Sequence, residues 1–226
     1  NDETRVSVIP ATVKQYISAG LSVKVESGAG LKSHISDDEF REAGAEILAD
    51  AISVYNASDM ILKVSSPTDD EINMIKDGSS YISFFQTMRE TSKVIALQKK
   101  NITGYSMHLI PRTTLAQKMD ALSSQSNIAG YKAVLIGANH IGKYMPLLMT
   151  AAGTLKPSRV VIMGAGVAGL QAIATAKRLG ARVQAFDTRP VVEEQVKSLG
   201  ARFVQIDIGD TEETEQGYAK ELSEEQ

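Results

Sequence analysis

The chain has 226 residues, of which 43% are hydrophobic and 23% are charged, and its formal net charge is -3 at pH 7. This composition is that of an ordinary globular protein, and the small negative charge gives no electrostatic reason to expect a nucleic acid partner. Because cysteine is absent, disulfides, thiolate catalysis and cysteine metal sites are excluded. No apolar run reaches the about 18 residues that a membrane-spanning helix needs, so we expect this chain by itself to be soluble.

The first half of the chain alternates between predicted helices and strands. In order, the patterns indicate a helix at 11–19, a strand at 22–26, a helix from the capping sequence at 36–39 through 51, a strand at 58–65, a short helix after a second capping sequence at 68–71, an apolar run at 81–85, a helix at 88–99 and a strand at 104–110. Strands that alternate with helices predict a parallel α/β sheet.

A long helical stretch follows at 120–155, and its apolar residues predict that it is buried between two domains. We therefore predict two Rossmann-like parallel-sheet domains joined by a long helix: an N-terminal α/β domain at 1–125, the linking helix at 126–156, and the first half of a dinucleotide-binding domain at 157–226. The acidic stretch at 209–226 has little apolar periodicity and is predicted to be a mobile loop. Since a second Rossmann half is missing, we expect the chain to be a fragment of a longer polypeptide.

The strongest motif lies between Arg159 and Asp187, where an apolar strand meets a glycine-rich turn that opens a helix. Gly164 permits the tight turn, Gly166 lets the backbone approach a pyrophosphate, and Gly169 lets helix and strand pack closely. The helix N-terminus offers free N–H groups to the phosphates. The predicted dinucleotide-binding residues of this stretch are Gly164, Ala165, Gly166, Val167, Ala168, Gly169, Asp187, Thr188 and Arg189.

The acid of this motif predicts which dinucleotide binds. Asp187 follows the second strand, 23 positions after Gly164. A carboxylate there accepts hydrogen bonds from the ribose hydroxyls of NAD and repels the additional phosphate of NADP. Arg189 is the counter-argument, because a guanidinium can meet a 2′-phosphate. We predict NAD(H) as the cofactor of this chain.

A second group of polar residues runs from a strand end into the long helix. Arg112 is suited to a carboxylate, phosphate or amide oxygen, and Gln117, Asp120 and Ser123 are suited to a carboxamide or ribose. The alternative is a capped and solvated helix start, in which Asp120 only favours the helix dipole. The spacing by itself leaves both interpretations open.

The remaining candidates are Arg5, Lys63, Gln86 and His140. Lys63 stands in an apolar run, where an unpaired ammonium group is costly, so it either emerges at the strand end or has a partner. His140, like the other two histidines, shows no metal-ligand spacing, and no metal site is predicted.

These motifs resemble one family over nearly the whole chain. They read ETRVSVIPATV from residue 3, DMILKVSSP from 59, PRTTLAQKMDALSSQSNIAGYKAV from 111, VVIMGAGVAGLQAIATAKRLGARVQAFDTR from 160, and GYAKE from 217. In them the chain is similar to the NAD(H)-binding domain, domain I, of the proton-translocating nicotinamide nucleotide transhydrogenases, in the superfamily shared with alanine dehydrogenase.

The resemblance implies a transhydrogenase component that passes hydride from NADH to NADP(H) held on a partner domain III, coupled to proton translocation through a membrane domain II. It implies that Arg112, Gln117, Asp120 and Ser123 surround the nicotinamide and its ribose, with Gln117 near the hydride path, and that Tyr218 folds over the nucleotide. A homodimer is implied, as is a position peripheral to a membrane, at a bacterial cytoplasmic face or an organelle matrix face.

Two alternatives remain open. In alanine dehydrogenase a catalytic histidine follows the third strand and a lysine near Lys63 binds the substrate, whereas Gln86 stands at the histidine's place here. Without a group that titrates near neutral pH, acid-base work on an imine lacks a candidate. The other alternative is a catalytically silent NAD-binding module.

Overall fold

The computed structural model describes residues 3–206, and the contacts divide the chain between Pro111 and Arg112 into two compact units. Each unit is built from short strands and helices that alternate along the chain. The main sheets of both units are parallel, so the predicted α/β class is confirmed.

The first unit has two small parallel sheets. Its strands are β1 (Lys24–Glu26), β2 (Glu46–Leu48), β3 (Met60–Leu62), β4 (Ser80–Ser83) and β5 (Thr103–Ser106), and its helices are α1 (Pro10–Ser18), α2 (Asp37–Glu42), α3 (Ala51–Ala57), α4 (Asp69–Met74) and α5 (Thr91–Lys99). Strand β1 pairs with β2, and β4 lies between β3 and β5. Two apolar clusters form the cores, one around Phe40 and Val13, the other around Tyr81 and Ile72.

Both predicted capping sequences form reciprocal caps. The Ser36 side chain accepts from the Glu39 N–H at the start of α2, and the Thr68 side chain accepts from the Glu71 N–H at the start of α4. The prediction that the first of these helices continues through residue 51 is wrong. Gly44 adopts a φ of +100°, which ends the helix, and β2 follows.

The second unit has a three-stranded parallel sheet. Its strands are β8 (Arg159–Met163), β9 (Arg182–Phe186) and β10 (Arg202–Phe203), in the order β10-β9-β8, and its helices are α6 (Ala121–His140), α7 (Val167–Arg178) and α8 (Glu193–Ser198). This order is that of the first half of a doubly wound fold. Buried residues of α7 and α8, among them Ile173 and Val196, pack against Val183 and Ala185 of β9.

The predicted helix at 120–155 is shorter in the structure. Helix α6 ends at His140, and β6 (Leu148–Thr150) and β7 (Gly153–Leu155) form an antiparallel hairpin where helix was expected. Pro146 has no N–H and cannot continue a helix, and Gly153 adopts a φ of +137° at the turn. Among the described residues, no helix is both long enough and apolar enough to cross a membrane.

Candidate functional site

The glycine motif forms the predicted strand, turn and helix. Gly164, at the end of β8, has a φ of +91°, and its N–H donates to the Phe186 carbonyl at 2.8 Å. A Cβ on Gly169 would stand 1.8 Å from the Gly164 carbonyl oxygen, so only glycine lets α7 begin this close to the turn. A Cβ on Gly166 would meet no atom within 4 Å. The backbone at Gly166 is therefore open to a ligand.

The N-terminus of α7 is suited to an anion. Within residues 3–206 no side chain caps this helix, whose N-cap is Gly166, and its first turn holds no acidic residue. The first N–H groups of a helix have no intrahelical acceptor and lie at the positive end of its dipole. The residues present thus fit the pyrophosphate of a dinucleotide.

Asp187 ties the glycine turn to the end of β9. One carboxylate oxygen, Oδ2, accepts from the Ala165 N–H at 2.7 Å, and the other, Oδ1, accepts from the Arg189 N–H at 2.9 Å. Only 6% of the Asp187 side chain is exposed. Burial raises the pKa of the Asp187 carboxyl, but the bonds from Arg189 and Ala165 outweigh it and hold the pKa below its ordinary value. The acid therefore stands ionised beside the phosphate-binding turn.

Arg189 adds a forked ion pair to the same carboxylate. Its Nε donates to Oδ1 at 2.9 Å and its Nη2 donates to Oδ2 at 3.0 Å. Thr188 lies between the two charged residues and is partly buried. The three predicted residues at the end of β9 are thus brought next to Ala165 of the glycine motif.

The segment before α6 forms the cap that one of the two interpretations predicts. Asp120 is the N-cap of α6 and accepts from the Ser123 N–H at 2.9 Å and from the Ser123 hydroxyl at 2.6 Å. The hydroxyl bond from Ser123 is the main cause that lowers the Asp120 pKa, and Arg112 adds a smaller electrostatic effect. Gln117 and Arg112 precede the helix and are exposed. A capping role for Asp120 leaves its predicted ligand role a prediction.

Gly130 is a residue of this site that sequence reasoning missed. It is buried in the middle of α6, and a Cβ there would stand 2.0 Å from the carbonyl oxygen of Ala168 in the first turn of α7. Nearby, Asn127 of α6 donates to the Gln171 side chain of α7 at 3.1 Å. Gly130 therefore lets α6 reach the anion-binding end of α7. The available signal was an isolated glycine inside a helical pattern.

Three other candidates have partners within the first unit. Lys63 follows β3 and is paired with Glu71, as one of the two predicted outcomes required. Arg5 is paired with Glu3 at 2.8 Å. The backbone N–H of Gln86 donates to Glu90 at 2.7 Å.

Two further predicted residues are not placed by these contacts. His140 is exposed at the end of α6. Tyr218 and the predicted loop at 209–226 lie outside the described residues. Their predicted roles stay predictions.

The parallel strand order and the glycine turn define a Rossmann-like α/β protein. Residues 1–129 match the family model for the N-terminal domain of alanine dehydrogenase/PNT, and residues 133–225 match the model for the C-terminal domain. The chain belongs to the alanine dehydrogenase/PNT family.

Three relatives show where the similarity is strong. The chain is 46% identical over 230 residues to an NAD(P) transhydrogenase subunit alpha chain of Rhodospirillum rubrum, covering 99% of this chain and 60% of the relative. It is 34% identical over 190 residues to alanine dehydrogenase of Methanococcus maripaludis, covering 83% of this chain and 50% of that protein. The crystal structure of transhydrogenase from Sinorhizobium meliloti superposes with a TM-score of 0.88 at 44% identity, covering 91% of this chain and 59% of that one. The chain thus spans about 60% of the length of these two transhydrogenase relatives.

Proposed function

We propose that the chain is the NAD(H)-binding component of a nicotinamide nucleotide transhydrogenase. The observation that carries this proposal is the bond from the Ala165 N–H to Asp187, which joins a ribose-binding acid to a glycine turn at an uncapped helix start. In this arrangement the α7 N-terminus holds the pyrophosphate and Asp187 faces the adenosine ribose. The similarity to transhydrogenase alpha subunits supports the assignment.

Catalysis in this proposal is positioning. NADH supplies the hydride and NADP, held on a partner domain, accepts it. Arg112, Gln117 and Asp120 hold the nicotinamide ring and its ribose so that the ring faces the partner, and Ser123 supports Asp120 through the hydrogen bond described above. The exposure of Arg112 and Gln117 in the described chain is consistent with groups that meet a ligand.

Alanine dehydrogenation is the second candidate, because an alanine dehydrogenase is also among the relatives. Two observations disfavour it. Gln86 carries no titratable group, and Lys63 is engaged by Glu71 within the chain. Neither residue then supplies the acid or base that oxidation of an amine requires.

The proposed partners are an NADP-binding domain III and a membrane domain II that couples hydride transfer to proton translocation. The chain would then lie peripheral to a membrane, at a bacterial cytoplasmic face or an organelle matrix face. A second copy of this chain is the third proposed partner. Exposed apolar side chains support it, namely Ile128, Tyr131 and Ile136 on α6 and Met149 and Leu155 on the hairpin.

The first test is a parallel titration of the chain with NADH and NADPH, followed by nicotinamide fluorescence. We expect NADH to bind about tenfold or more tightly than NADPH, because the Asp187 charge repels the 2′-phosphate. In Asp187→Asn, which keeps the side-chain size and removes the charge, the preference should disappear.

The second test adds an NADP-binding partner domain and follows NADH-dependent reduction of NADP. Absence of turnover there, together with alanine-dependent reduction of NAD, would contradict the transhydrogenase proposal. Substitution of Gln117 by alanine should slow hydride transfer while the affinity for NADH changes less.

A further inference from the structure

The carboxylate of Asp187 is fully occupied by donors of its own chain. A carboxylate has about four acceptor positions, two on each oxygen. Oδ1 accepts from the Arg189 N–H and from Arg189 Nε, and Oδ2 accepts from the Ala165 N–H and from Arg189 Nη2. A ribose can bind only where one of these donors leaves.

The four donors fall into two pairs of different mobility. Each oxygen has one backbone donor, and neither can leave without moving the chain, since Ala165 is only 1% exposed and belongs to the glycine turn. Each oxygen also has one guanidinium donor, and these two bonds break together by rotation of one side chain. The replaceable donors are therefore the two N–H groups of the Arg189 fork.

The Arg189 fork offers the carboxylate what a ribose offers. The 2′- and 3′-hydroxyls of an adenosine ribose are two neighbouring donors, and the guanidinium edge presents two parallel N–H donors, one to each carboxylate oxygen. We propose that Arg189 is an internal occupant of the adenosine-ribose subsite, which the ribose diol of NAD(H) must displace from Asp187. This inference rests on the proposed function, because it takes the ligand to be a dinucleotide.

Displacement makes Arg189 a specificity residue. The guanidinium remains tethered two residues after Asp187, next to the ribose edge that it has left. There it opposes NAD(H), which it must yield to, and favours a 2′-phosphate, which it can bind by its fork. Arg189 thus narrows the preference that Asp187 creates.

The two opposed effects give the proposal a signature that a purely structural role would not produce. The probes are ADP-ribose and its 2′-phosphorylated form, which carry the adenosine half of the cofactors without the nicotinamide. In Arg189→Leu we expect ADP-ribose to bind about tenfold more tightly and the 2′-phosphorylated form about tenfold more weakly, measured by calorimetry on the 226-residue chain.

Two further variants separate geometry from charge. Arg189→Lys keeps the positive charge but replaces the fork by a point donor, so we expect a smaller gain for ADP-ribose, about threefold, and retained binding of the 2′-phosphate. Arg182→Leu removes an equal charge from the exposed beginning of β9, at the opposite end of the strand, and should change neither affinity. If Arg189→Leu fails to fold, Arg189→Lys decides the question.

The outcomes separate this inference from the proposed function. Unchanged or weaker binding of ADP-ribose to a folded Arg189→Leu, with normal binding to the unsubstituted chain, overturns the inference and leaves NAD(H) binding in place. Arg189 would then hold Asp187 in position for the ribose. An unsubstituted chain that binds neither ADP-ribose nor NADH overturns the proposed function and this inference together.

Discussion

At the residue scale, Lys63 shows how the chain accommodates a charge beside a buried strand. The Lys63 ammonium and the Glu71 carboxylate are each about one-fifth exposed and form an ion pair, and Glu71 also accepts from the Thr68 N–H at 2.8 Å. Burial raises the Glu71 pKa, and the bonds from Lys63 and Thr68 outweigh it and lower the pKa below 4.5. Glu71 therefore joins the ion pair to the cap of α4.

We expect Lys63→Met to lower the free energy of unfolding by about 1–3 kcal/mol at pH 7, since Glu71 loses a charged partner while still partly buried. A carboxyl with a lowered folded pKa contributes stability above its unfolded pKa and loses it as pH falls through the folded value. The deficit of the variant should therefore shrink below pH 4.5 in urea titrations. NADH affinity should not change. Loss of an alanine-dependent activity on this substitution would instead support the dehydrogenase alternative.

At the element scale, the contact between α6 and α7 depends on one glycine. A Cβ at Gly130 would stand 2.0 Å from the Ala168 carbonyl oxygen, and both groups are backbone, so neither can move aside cheaply. We expect Gly130→Ala to destabilise the protein by about 1–3 kcal/mol and to weaken NADH binding, because the first turn of α7 must shift.

Gly137 provides the matched control on the same helix. A Cβ there meets no atom within 4 Å, so Gly137→Ala should stabilise the protein by about 0.4–1 kcal/mol through the unfolded state. Thermal unfolding of the two variants should move the melting temperature in opposite directions. Equal shifts would show that the close approach of α6 to Ala168 is not a determinant of stability.

At the scale of the whole molecule, the second unit carries both the glycine site and the apolar surface proposed for self-association. We expect the chain to sediment as a dimer of 24.3 kDa subunits. Ile128→Glu places a charge on the exposed face of α6 and should give monomers, whereas Ile52→Glu, at a similarly exposed position on α3, should not. Monomeric behaviour of the unsubstituted chain in sedimentation velocity would contradict the proposed homodimer.

The sequence by itself determined the features that depend on short spacing. The strand, turn and helix around Gly164 and the two capping boxes follow from residues a few positions apart, whose conformations are set by local sterics and hydrogen bonds. The parallel α/β class followed in the same way from the alternation of elements. The extent of the helix after Asp120 was wrong because apolar periodicity was followed across Pro146, where the backbone cannot continue a helix.

Only the tertiary structure decided which partner each of the site residues has. Ala165 and Asp187 are 22 positions apart, and their hydrogen bond exists because β8 and β9 pair in parallel register. That bond turns the carboxylate toward the glycine turn and leaves its other acceptor positions to Arg189. The approach of Gly130 to Ala168 likewise arises from the packing of α6 on α7. Such contacts depend on the relative placement of whole elements, and residue spacing along one chain carries no direct record of it.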